Sequence, residues 1–140
     1  MSMYILVFLA LDKKISTNDL NAATVKHNIP VAYSENIKLV EHKGFLPSKL
    51  NSSDSGVTSF ADKCSKYSEI VSNKAILSNP NCVAFELSWG SNFREGAVAF
   101  YTALALSEEY SAVAFDPQSN IVLDKNQLKL GAKTFANFPQ

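Results

Sequence analysis

The chain has 140 residues, 46% of them apolar, with 13 basic residues against 13 acidic ones. That length holds one ordinary domain with a well-buried core, and that apolar share argues against disorder. A formal charge of zero, with no run of Lys and Arg, leaves no electrostatic footprint for nucleic acid or an anionic membrane surface, so neither is expected as a partner.

Tyr4 to Leu11 is apolar at every position. Such a run suits a strand covered on both faces, in the middle of a sheet. A signal-peptide core would want a preceding cation, and here Asp12 and Lys13 follow at once, so a strand is expected. Ser16 or Thr17 can cap a short helix that carries Leu20, Ala22, Ala23 and Val25 and stops near Asn28, ahead of Pro30. Val31 to Tyr33 and Ile37 to Glu41 flank the turn-prone Ser34-Glu35-Asn36, which suggests a hairpin of the second and third strands. Residues 44–60 contribute Gly44, Pro47, Gly56 and several serines, a loop signal with at most short strands at Phe45–Leu46 and Val57–Phe60.

A helix from Lys66 to Asn73 is expected next, ended by the turn around Pro80. Cys64 and Cys82 could pair in an oxidising compartment. Two cysteines without framework spacing are more often small buried thiols of a cytoplasmic protein, so reduced thiols are expected. Val83, Phe85 and Leu87 alternate with Ala84, Glu86 and Ser88, and the same split recurs in Val113 and Phe115 against Ala112, Ala114 and Asp116. Between these strands Asn92 can cap a helix over Phe93 to Glu109, with Glu95 placed to return the bond. Phe93, Ala97, Phe100, Tyr101 and Leu104 recur there at helical spacing, and Gly96, Ala99, Ala103 and Ala105 keep much of the surface small. Trp89 to Asn92 then reads as a strand-to-helix turn with an exposed or half-buried indole. A short strand, Ile121 to Leu123, precedes a polar helix or irregular tail. The order implies a single α+β domain: a two-layer sandwich of a mostly antiparallel sheet with helices on one face, its core joining Phe8, Phe85, Phe100, Leu104 and Phe115.

Chemistry is harder to find. His27 and His42 have no Cys, Asp or Glu at ligand spacing, no serine sits in a Gly-x-Ser-x-Gly elbow, and five glycines make no phosphate loop. No metal, cofactor or nucleophile is expected. Glu86, Arg94, Glu95 and Asp116 are the best polar constellation. They would meet at one sheet edge if strand end and helix start converged, whereas a helix cap and an Asp-Pro turn account for them more simply.

The segments GFLP and SGV within residues 44–60, FELSWGSNFREGAVAFYTALAL at 85–106 and AVAFDPQ at 112–118 resemble a family of small bacterial α+β proteins. Some of that family stand beside polymorphic or contact-dependent toxins as immunity factors. The resemblance spans residues 44–118. Ser91-Asn92 stands where the family more often has Gly-Asp, which keeps a helix cap but removes a charge. It implies a non-enzymatic, cytoplasmic protein that binds and neutralises a cognate toxin, with Phe45, Lys49, Asp54, Tyr67 and Trp89 as candidate contacts. The rival readings are a small-molecule enzyme or ligand-binding domain built on Glu86, Arg94 and Asp116, and a homodimeric module pairing through Ala84, Ala112 and Ala114.

Overall fold

Central to the computed structural model, which describes residues 3–11, 14–69 and 79–138, is β1 (Met3–Ala10). Its alternating side chains enter two different cores: Ile5, Val7 and Leu9 point one way, Leu6 and Phe8 the other, and all five are at most 2% exposed. That double burial is why the strand is apolar throughout.

Around it lie β2 (Val31–Tyr33), β3 (Gly44–Leu50), β4 (Ser53–Lys63), β5 (Cys82–Trp89), β6 (Val113–Asp116) and β7 (Ile121–Leu123). They form one seven-stranded sheet in the order β2-β3-β4-β5-β1-β6-β7, antiparallel at every pairing. Among the described residues three helices, α1 (Thr17–Lys26), α2 (Phe93–Tyr110) and α3 (Lys125–Ala136), pack their buried residues into the core of one face, an α+β sandwich.

Residues 44–60 are not a loop. β3 and β4 make the longest hairpin of the sheet, closed by Asn51 and Ser52 with φ of 50° and 69°. Two consecutive positive φ values match the twist of paired strands. Of the serines that suggested a loop, Ser52 lies in the turn while Ser48, Ser53, Ser55 and Ser59 lie in the strands, Ser48 and Ser59 buried on the core side. The expected hairpin of residues 31–41 is displaced accordingly. β2 pairs with β3 instead, and Lys38 makes only an isolated bridge to Ser16.

α2 begins at Asn92, whose side chain accepts from the Arg94 and Glu95 backbone N–H groups at 3.0 and 3.4 Å; Glu95 does not return the bond. The indole of Trp89 is buried, not exposed: a Cβ at Gly96 would lie 2.8 Å from Trp89 Nε1, so only glycine lets the helix start settle on that ring. The tail is a regular helix, with an Asp124–Gln127 capping box, and its Phe135 meets Trp89 and Phe100 at ring distances of 5.5 and 5.4 Å.

The core is divided by the sheet. Phe85, Leu104 and the half-buried Phe100 lie under the helices, while Phe8 and Phe115 join Leu6, Tyr67, Ala84 and the cysteines on the other side. Cys64 and Cys82 are a disulfide with a Cα separation of 5.5 Å, which corrects the expectation of reduced thiols. The pairing of Lys63 with Val83 explains it: one step beyond that rung, residues 64 and 82 stand opposite each other. Of the helix expected over residues 66–73, Cys64–Tyr67 forms a 3-10 turn, and residues 70–73 lie outside the described residues.

Candidate functional site: the uncovered half of the sheet

Strand alternation places Phe45, Pro47 and Lys49 of β3, and Asp54, Thr58 and Phe60 of β4, on the face opposite the helices. Near β1 that face is closed by the 3-10 turn, with Tyr67 edge-on to Phe8 at 6.0 Å. Over β3 and β4 it is open, leaving Phe45 49% and Phe60 41% exposed.

The Phe45 ring lies across the hairpin on Gly56. A Cβ at Gly56 would come within 2.3 Å of Phe45 Cζ and 2.7 Å of the Leu46 carbonyl oxygen, so glycine is required by close approach. Phe45 is thus held in place as well as exposed. Its carbonyl is bonded by His42 Nε2 at 2.8 Å, which secures the start of β3. Lys49 and Asp54 face each other across the hairpin with 3.8 Å between Nζ and Oδ1, both well exposed. Such a pair adds little to stability, which leaves both charges available to a partner.

Toward β5 the patch meets Glu86, paired in register with Phe60. Asp62 and Lys66 form an ion pair at 3.0 Å beyond it. The Lys63 backbone N–H, and then the Lys66 ammonium, hold the Asp62 carboxyl below its usual range. Burial pushes the Tyr67 phenol up, and the Glu86 carboxylate adds to this.

The candidate contacts therefore separate. Phe45, Lys49 and Asp54 share the open face, whereas Tyr67 and Trp89 are 5% and 4% exposed in opposite cores and offer no surface anchor. Phe60 is exposed on that face instead, with Pro47 exposed and Thr58 half-buried beside it. The alternation of exposed Phe45, Pro47 and Lys49 with Leu46, Ser48 and Leu50 was the signal for this face, hidden by reading the segment as a loop.

Glu86, Arg94 and Asp116 are not brought together. Glu86 lies on the open face, Arg94 donates from Nη2 to the Leu50 carbonyl at 2.8 Å, and Asp116 accepts from the Gln118 backbone and the Ser119 hydroxyl in the β6–β7 turn. Glu95, its carboxyl raised by burial, stays at the start of α2. Ala84 and Ala114 are buried on opposite faces, so they form no shared dimer surface. Among the described residues no group of three or more His, Cys, Asp and Glu is arranged to hold a metal ion, and no helix is long and apolar enough to cross a membrane. No family model matches the chain, and no curated protein or solved structure shows significant similarity to it.

Proposed function

We propose that this protein is a non-enzymatic immunity factor that binds a bacterial protein toxin and neutralises it by occlusion, docking through the open half of its sheet. The observation that carries the reading is that Phe45 and Phe60 are both exposed on the same uncovered face of the paired strands β3 and β4, which also carries the Lys49–Asp54 pair. Protein interfaces concentrate their energy in a few aromatic anchors inside a polar rim, and a sheet presents such anchors already ordered. The resemblance of residues 44–118 to immunity proteins supplies the class of partner.

The cytoplasmic location expected from the sequence gives way within this reading. A buried disulfide is characteristic of compartments where thiols are oxidised. The encounter with the toxin is therefore proposed for an oxidising compartment such as the bacterial periplasm.

The test is protection of a sensitive cell against the toxin encoded beside this protein. Protection should require about one molecule per toxin, because an occluding inhibitor is consumed by its target. Phe60→Asp and Lys49→Glu should weaken it with the melting curve unchanged. Full protection by the folded double variant would remove the open face from the reading, and protection at far below equimolar amounts would replace occlusion by catalysis.

A further inference from the structure

On the helix side, away from the open face, a cavity of about 380 Å³ lies between the end of α1, α2 and α3. Its volume is within the range of small-molecule sites. Ile29, Pro30, Tyr101 and Leu104 line it with apolar surface, and Lys125, Lys129 and Lys133 line its α3 side.

The three lysines recur at a spacing of four, so α3 stacks them on one face. Like charges at that spacing repel and weaken the helix, so folding does not call for them. Only the first is compensated: Glu108 takes Lys125 Nζ at 3.4 Å and His27 Nδ1 at 3.4 Å. Among the described residues Lys129 and Lys133 have no acidic partner, and the cavity holds a local positive excess in a chain whose formal charge is zero.

Tyr101 adds an independent sign. It is only 7% exposed, it lines the cavity, and among the described residues its hydroxyl makes no hydrogen bond. A hydroxyl with no protein partner on a residue that lines a cavity is free to donate to a ligand entering it. Burial raises its pKa, so it keeps its proton at neutral pH.

We propose that this cavity binds a small organic anion, a carboxylate or phosphate on an apolar body, with Lys129 and Lys133 holding the charge, Tyr101 donating to it, and Ile29, Pro30 and Leu104 receiving the apolar part. The cavity and the open sheet face lie on opposite sides of the sheet, so this site and the toxin-docking reading stand or fall separately.

The test is a low-salt titration of the full chain with benzoate, phenyl phosphate, inorganic phosphate and benzyl alcohol, followed by backbone amide NMR. Benzoate or phenyl phosphate should shift the amides around residues 27–30 and 125–133 saturably, and benzyl alcohol should not. Lys129→Gln with Lys133→Gln should weaken binding at least about tenfold, and Tyr101→Phe by about tenfold, the usual cost of losing hydrogen bonds to a charged group. The thermal midpoint of the lysine variant should not fall, because the mutual repulsion is removed. No saturable shift with either aromatic anion, binding unchanged in the lysine variant, or inorganic phosphate binding as well as phenyl phosphate would each overturn the proposal.

Discussion

On the helix face Ile5, Val7, Phe85 and Leu87 vanish beneath α2, while on the opposite face of the same sheet the large side chains divide. Leu6, Phe8 and Phe115 are sealed beside the disulfide, and Phe45 and Phe60 remain in contact with solvent. The strands are equally regular on both sides, so alternation decides which face a residue occupies and the covering layer decides whether it is buried. A Phe on the helix face therefore reports on folding, and one over β3 and β4 is free to serve binding.

The contrast can be broken most sharply at Phe85. Phe85→Ala should lose about 3 to 5 kcal/mol in urea melts, the range for a buried Phe; a loss below about 1 kcal/mol would mean the helix layer does not close this core. Next comes the tie on the other face. Replacing Cys64 and Cys82 together by Ala should cost about 3 kcal/mol, since an unfolded loop of this size regains its closure entropy. An unchanged melt in reducing and oxidising buffer would show that the second core needs no tie.

Tyr33 tests the helix face by pH. Its hydroxyl is bonded to Thr102 inside the core, and burial raises its pKa above the ordinary tyrosine value. The unfolded chain releases that proton near pH 10 while the folded chain keeps it. The stability from this group is thus complete below the unfolded value and is lost as pH rises through it toward the folded value. Tyr33→Phe should show a shallower loss in alkaline urea melts, and identical slopes would mean that water reaches the hydroxyl. The smallest effect sharpens the comparison from the open side: Phe60→Ala should change stability by no more than about 0.5 kcal/mol, and a larger loss would mean that this half of the sheet is covered after all.

Much of the architecture was legible because it depends on local pattern. The unbroken apolar run of β1, the split of Phe85 and Leu87 from Glu86 and Ser88, and the Asn92 cap before an alanine-rich stretch each carry their own period or terminus signal, and the antiparallel sheet with helices on one face follows. The β3–β4 hairpin was missed because Gly56, Pro47 and the serines were read by composition. Gly56 sits inside a strand to admit the Phe45 ring, and Pro47 lies in β3 with its side chain outward. At the candidate site, Phe45, Lys49 and Asp54 were identified from the sequence, but Phe60 was not, and Tyr67 and Trp89 turned inward.

By itself the sequence determined the alternation of β5 and β6 and the start of α2, since these depend on neighbours within a few positions, and composition alone set the absence of net charge. Only tertiary structure decided that Cys64 meets Cys82, that Phe8 and Phe85 belong to different cores, and that Tyr101 and the α3 lysines share one cavity. Each of those outcomes depends on strand register or on how one layer lies over another, and such long-range packing leaves no period in the chain.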